Sequence, residues 1–150
     1  MSADSARLAL SEIVGEKWVE VEPFASVNLL SDWTNRFHGR PLAIVKPADT
    51  AEVSAVLKWA NDNNVPVVAQ SGNTSLVGGG TPTADGKAVL LSLQRMNKVE
   101  RIDAVNDTMV VDAGVILQKA QEAARAHGRL FPLSFASEGS ACIGGCLATN

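Results

Sequence analysis

The stretch AQSGNTSLVGGGTP, Ala69–Pro82, sets short hydrogen-bonding side chains on bare backbone: Ser71, Gly72, Asn73, Thr74 and Ser75, then Gly78, Gly79 and Gly80. Successive main-chain N–H groups in such a turn can converge on an anion, with glycine supplying unusual φ/ψ angles and close approach. No Lys or Arg lies between Ala69 and Pro82. Attraction would come from dipoles and hydrogen bonds, each charge-assisted bond worth roughly 1.5–3 kcal/mol. Three phosphate chemistries compete. A nucleoside-triphosphate loop ends in Gly-Lys-Ser/Thr, but VGGGT lacks the lysine and Lys87 comes too late. A dinucleotide fingerprint places G-x-G-x-x-G between the first strand and its helix, where this chain has KPADTAEV. A pyrophosphate cradle of main-chain N–H groups fits better than either, although such a stretch taken alone more often only connects two elements.

A second cluster, PLSFASEGSACIGGCLATN from Pro132 to Asn150, again packs Gly139, Ser140, Gly144, Gly145 and Thr149 behind an expected short strand, RLFP. Two such loops, each following a strand, could grip the two phosphates of an elongated cofactor. Cys142 and Cys146 lie four apart with no histidine nearby. They make at most a two-ligand site, short of tetrahedral zinc, so no metal is expected and both read as small packing residues. His127 precedes Gly128 at a helix end, where a cation is mildly favoured. His38, between Arg36 and Arg40, could meet a carboxylate, but a solvated turn fits it better. Trp59 reads as core.

These loops need elements to position them. Leu8, Leu10, Ile13 and Val14 recur at helical spacing, predicting a helix from Asp4 to about Val14 with Asp4 or Ser5 as its cap. SDWTNRFHGRP is polar and turn-rich, a lead-in to the main domain. LAIV is a short strand stopped by Pro47. Asp49 and Glu52 have capping-box spacing, and Val53, Val56, Leu57 and Ala60 share a helix face. VPVVA is a second strand, so Leu42–Val45 and Val65–Ala69 are expected as neighbouring parallel strands of a βαβ unit. AVLLSL follows, then VERID and TMVVDAG as a hairpin, then a helix in VILQKAQEAARAHG stopped by Gly128. The fold class is α+β or α/β with mixed strands, without internal repeat or linker.

Composition excludes several functions. The chain has 150 residues, 46% hydrophobic and 19% charged, which suits one globular domain or part of one. A net charge of −3 gives no basic footprint for nucleic acid. No apolar run is long enough to cross a bilayer. The start MSADSARLALSEIVGEKW lacks a basic opening followed by a long apolar stretch. Two cysteines make no disulfide scaffold, so a cytoplasmic, reducing location is expected.

Several motifs in register carry a resemblance: RPLAIVKPADTAEVSAVLKWANDNNVPVVAQSGNTSLVGGGTP, LLSLQRMNKVERID, VDAGVILQKAQEAARAHGRLFPL and GSACIGGCLATN. From about Trp33 to Asn150 the chain resembles the FAD-binding (PCMH-type) domain of the vanillyl-alcohol-oxidase-type flavoproteins. Within these it most resembles the D-2-hydroxy-acid dehydrogenases of the D-lactate, D-2-hydroxyglutarate and glycolate-oxidase-subunit types. The resemblance implies a βαβ start followed by a mixed sheet, with residues 1–40 as helix and lead-in and 41–150 as the N-terminal, incomplete portion of the FAD domain. It implies that Ser71, Gly72, Asn73, Thr74, Ser75 and Gly78 form the pyrophosphate loop. It implies that Pro132, Gly139, Ser140, Ile143, Gly144, Gly145, Thr149 and Asn150 form a second cofactor-contacting segment. Three departures stand out: Ser71 where the family usually has glycine, Cys146 where it has a small polar residue, and a chain ending at Asn150 where the family continues.

The implied function is that of a flavoprotein oxidoreductase acting on a small 2-hydroxy acid and passing electrons to an acceptor, with catalytic residues beyond Asn150. The FAD is expected to be non-covalent, because flavinylated relatives carry a histidine in the first loop, whereas His38 and His127 lie outside it. These residues by themselves are expected to be inactive, with uncovered apolar surface favouring self-association. From a different class, a stand-alone nucleotide- or partner-binding domain without catalysis is the alternative. The unfinished glycine-rich CIGGCLATN end speaks against it.

Overall fold

The computed structural model describes residues 1–149. Its first helix, α1 (Ala3–Val14), is capped by the Ser2 side chain, which accepts from the Ser5 N–H. The cap is therefore Ser2 rather than Asp4 or Ser5, since the helical turn already includes Ala3. A short strand, β1 (Val19–Glu20), pairs antiparallel with β2 (Ala43–Val45). Asp49 caps α2 (Thr50–Asp62) by accepting from Glu52 N–H at 2.9 Å, while Glu52 accepts from Ala48 N–H at 2.6 Å. This is the reciprocal box the sequence spacing predicts, reaching one residue further back. Val56 and Ala60 are buried, whereas Leu57 is 45% exposed. Leu57 lies off the buried stripe, whose axis runs between Val56 and Ala60.

Next come β3 (Val67–Gln70) and β4 (Val89–Ser92). The sheet order is β1-β2-β4-β3, with β2 and β3 both parallel to β4. The strands on either side of α2 are thus parallel but not neighbours: β4 inserts between them. The physical reason lies in burial. All of β4 is buried, as a central strand buried on both faces should be. The strand β3 follows Pro66, which has no N–H to donate, and it takes the edge.

Strand alternation builds two cores. Ala43, Val45, Val89 and Leu91 face α1 and α2, meeting Ala6, Leu10, Val14 and Val56. Ile44 and Leu90 face the other way, onto Leu29 and its neighbours Phe24 and Leu30. Residues 1–40 therefore supply one wall of each core. Lys46 ties them further by donating to Glu20 at 2.5 Å and to Ser26 at 2.7 Å. Burial opposes ionisation of Glu20, but its bonds from Lys46 and Ser26 win and lower its pKa.

The hairpin β5 (Val99–Asp103) and β6 (Thr108–Val111) forms as expected. Helix α3 (Leu117–Ala126) ends in a Schellman motif: Arg129 N–H reaches Ala124 O and Gly128 N–H reaches Arg125 O, with Gly128 at φ 66°. RLFP forms no strand. Leu130 is 81% exposed and the segment has no ladder partner among the described residues. The second glycine cluster is a loop only as far as Cys142, since Ile143–Thr149 form a short helix, α4. Its side chain at Ile143 joins Val115, Leu117 and Ala120 in a third core.

Candidate functional site

The parallel strands β2, β4 and β3 end together, and the segment leaving β3 is the glycine-rich stretch. In parallel sheets the crevice beyond the carboxyl ends of the strands is the usual ligand position. Gln70, buried at the tip of β3, donates its Nε2 to Leu29 O at 3.1 Å and to Gly80 O at 2.7 Å. That pair closes the ends of the loop on each other. Asn73, at φ 50°, donates its Nδ2 to Asn28 O at 3.1 Å and to Ser31 O at 2.8 Å. Gly78, at φ 72°, sits against the ring of Phe37, where a Cβ would come within 2.6 Å.

With the loop held by side chains, its main-chain donors stay free. The N–H groups of Gly72, Asn73, Thr74, Ser75 and Leu76 bond to none of the described residues. The N–H of Val77 goes to Ser75 Oγ at 3.3 Å. Asn73 Oδ1 and Gln70 Oε1 are buried without a partner among the described residues. An uncharged loop with a run of unused N–H groups and an αL residue suits an anionic diphosphate. The residues present therefore fit FAD.

The two glycine segments meet. A Cβ on Gly72 would lie 2.3 Å from Ser140 O, 3.0 Å from Cys142 N and 3.1 Å from Ala141 Cα. A Cβ on Gly145 would find Ser71 Oγ at 3.4 Å. Burial raises the Cys142 thiol pKa, and its Sγ donates to Ser140 O at 3.6 Å. Ser71, Gly72, Ser140 and Gly145 are thus brought together.

Other expected site residues are placed differently. The N–H of Ile143 donates to Val115 O and that of Gly144 to Ala113 O, both at 2.9 Å, so these two N–H groups dock α4. Gly144 has no room for a side chain, since a Cβ would lie 2.8 Å from that of Ala113. Thr149, at the end of α4, and Gly139 are exposed. Pro132 lines a separate hollow of about 280 Å³ with Gln121, Arg125 and Glu138, to which none of Ser71–Gly78 contributes. Asn150 lies outside the described residues.

The segment before Pro41 contributes what sequence reasoning passed over. Asp32 is 3% exposed and accepts from Thr34 N–H at 3.2 Å, Arg36 N–H at 2.9 Å, Phe37 N–H at 2.9 Å and the Thr34 hydroxyl. Burial pushes its pKa up, but these bonds outweigh it and hold the pKa at about 2, against 3.8 ordinarily. An Asp followed two residues on by Thr in a turn-rich stretch is the available signal, an Asx turn. With a folded pKa below the unfolded one, the stability from Asp32 is present above about pH 4 and lost as pH falls through about 2. The stability gap between the protein and its Asp32→Asn variant is expected to shrink over that window. Urea unfolding at pH 6, 4 and 2.5 checks it, and a constant gap contradicts it.

Among the described residues, no group of three or more His, Cys, Asp and Glu is placed to hold a metal, and no helix is long and apolar enough to cross a membrane. A family model described as "FAD binding domain" matches residues 41–150. A D-2-hydroxyglutarate dehydrogenase of Xanthomonas citri pv. viticola is 42% identical over 98% of this chain and 31% of its own length. A D-lactate dehydrogenase of Archaeoglobus fulgidus is 42% identical over 71% of this chain and 23% of its own. The chain thus spans about a third or less of the curated relatives it matches. A solved 4-ethylphenol oxidase of Gulosibacter chungangensis is 32% identical with a TM-score of 0.71, covering 83% of this chain and 24% of its own. An alkyldihydroxyacetonephosphate synthase shares the fold at a TM-score of 0.85 and 20% identity, over 99% of this chain and 29% of its own. The matched stretch begins where β2 and its crevice begin, and it contains both glycine segments, so the chain belongs to the FAD-binding domain family of the vanillyl-alcohol-oxidase-type flavoproteins.

Proposed function

We propose that this chain is the pyrophosphate-holding part of an FAD-dependent dehydrogenase of D-2-hydroxy acids. The observation that carries the reading is the run of unused N–H groups from Gly72 to Leu76, beyond the ends of β3 and β4 and against Ser140–Cys142. When bound, FAD supplies the hydride acceptor. A D-2-hydroxy acid would give up its C2 hydrogen to that acceptor and its hydroxyl proton to a base outside these residues, leaving the 2-oxo acid. What these residues do is bind and orient: the Ser71–Ser75 main chain meets the diphosphate, Gly78 and Gly80 shape the loop, and Gly145 and Ser140 close its far side. No residue of this chain is assigned as the base or as the partner of the substrate carboxylate. Both groups, and the site for the electron acceptor, belong to the portion outside these residues.

The FAD is held without a covalent bond, a reading supported by the absence of histidine from Ala69–Pro82. A cytoplasmic location accords with the cysteine usage. It is tested by cell fractionation, since an Arabidopsis thaliana relative is named a mitochondrial enzyme.

The complete protein is expected to purify with FAD that stays in the supernatant after acid precipitation. It is expected to reduce a dye with D-2-hydroxyglutarate or D-lactate, and not with the L-enantiomers. Flavin retained in the acid pellet sinks the non-covalent reading. A flavin-loaded protein inert toward all D-2-hydroxy acids sinks the substrate class.

A further inference from the structure

We propose that Asp32 is a positioning residue for the cofactor loop: it knots residues 31–38 into the clamp on which the glycine-rich stretch is held. The inference rests on the reading that Ser71–Ser75 hold the FAD diphosphate. It adds a residue that lies before the matched family region and is not itself in the crevice-lining loop.

The knot is built around one carboxylate. Asp32 Oδ1 takes the N–H groups of Arg36 and Phe37, and Oδ2 takes the N–H and hydroxyl of Thr34. The main chain adds Asp32 N–H to Phe37 O at 3.1 Å, Asn35 N–H to Asp32 O at 3.0 Å and a bridge between Ser31 and His38. Asn35, at φ 57°, completes the turn. Every acceptor position that Asp32 fills belongs to its own loop, and no cation pairs with it among the described residues. A buried carboxylate satisfied by three N–H groups and one hydroxyl of its own loop is a device for fixing backbone shape.

The knotted segment, through Ser31 and Phe37, and the residues flanking it, Asn28, Leu29 and Arg40, then hold the glycine-rich stretch along its length. Asn28 O and Ser31 O receive Asn73 Nδ2, and Leu29 O receives Gln70 Nε2. The Phe37 ring fills the space above Gly78, and Arg40 N–H reaches Thr83 O at 3.3 Å. The loop's own N–H groups are spared because Asn73 and Gln70 are anchored from the side. Asn73 occupies φ 50°, which a non-glycine residue adopts at a cost, so its anchor must be firm. Asp32 thereby sets the loop that meets the diphosphate without touching it.

The test uses the complete protein, stripped of flavin and titrated with FAD. In Asp32→Asn one carboxylate oxygen becomes an NH₂ that faces N–H donors. FAD binding is expected to weaken about tenfold or more. Thermolysin cleavage of the apoprotein beside Leu76 and Val77 is expected to accelerate, an effect no measurement of activity supplies. Leu10→Ala, in the core on the sheet face away from Leu29, controls for lost stability and is expected to shift FAD affinity less than about twofold where both variants are folded. Because Asp32 acts through Asn73, the double variant with Asn73→Ala should fall short of the product of the single effects. If Asp32→Asn does not fold, Thr34→Val decides: it removes one donor from the carboxylate and should weaken FAD binding about threefold. Unchanged FAD affinity in Asp32→Asn, or in Thr34→Val where that variant decides, overturns the positioning role, as does a fully multiplicative double variant. Unchanged affinity in Asp32→Asn and Asn73→Ala alike overturns the cofactor reading of the loop as well.

Discussion

Gly72→Val is expected to unseat the two glycine segments from each other and to strip the protein of its flavin. The Cβ of any side chain at Gly72 would sit 2.3 Å from Ser140 O and within 3.1 Å of Cys142 N and Ala141 Cα. All three are main-chain atoms, so no rotamer change relieves the overlap. Overpacking usually costs 1–3 kcal/mol, and against main chain the cost should reach about 3 kcal/mol or more. If the strain is relieved by moving Ser71–Ser75, that energy appears as lost FAD affinity, about a hundredfold at 1.4 kcal/mol per tenfold. Flavin content after purification and an unfolding curve of the apoprotein measure both outlets. Full flavin content with an unchanged unfolding midpoint would falsify the junction.

The same geometry changes what a glycine variant can teach. The sequence pattern attributes Gly72 to the approach of FAD phosphates, but the chain already fills that space with its own backbone. Flavin loss in Gly72→Val therefore cannot by itself report contact with the cofactor. Gly79 is the cleaner probe, since a Cβ there meets nothing within 4 Å. Gly79→Ala is unhindered in the fold, so weakened FAD binding in that variant points to the ligand.

Where local pattern carries the information, the sequence was enough. The capping box at Asp49, the hairpin, the Gly128 stop and, Leu57 apart, the buried stripe of α2 each depend on residues close together in the chain. Strand order does not. Both β3 and β4 are short apolar runs, and periodicity cannot say which goes inside; Pro66 and the uninterrupted AVLLSL were the usable signals. The helix α4 was hidden by Gly144 and Gly145, which cost about 1 kcal/mol each in helix propensity. Tertiary contact overrides that cost, because only glycine lets the first turn of α4 approach Ala113. Within the site, the glycine loop was legible from composition, whereas its clamp was not. Asp32 acts through main-chain N–H groups, and Asn73 and Gln70 reach main-chain carbonyls. Apart from the spacing of Asp32 and Thr34, none of these pairings leaves a complementary pattern of side chains to read.

Residues 1–40 read in the sequence as a lead-in, yet removing their helix is expected to destroy the domain. Leu10 is fully buried among Val45, Val56, Val89 and Leu91, and Ala6 and Val14 flank it. Leu10→Ala should cost about 2–5 kcal/mol, the range for a large-to-small change in a core that cannot collapse. Leu8, on the same helix but 72% exposed, gives the contrast: Leu8→Ala should stay within about 0.5 kcal/mol. Deleting residues 1–14 goes further, opening the α1-facing side of β2 and β4 to water. One face of the sheet that carries the crevice would then be covered by α2 alone, and the deleted protein should be recovered insoluble or without flavin. Chemical unfolding of the two point variants and flavin content of the deletion are the measurements. A soluble, flavin-loaded deletion would mean that β2 and β4 hold their register without α1, and that the crevice needs only α2 on one face and the wall formed by Leu29 and Phe24 on the other.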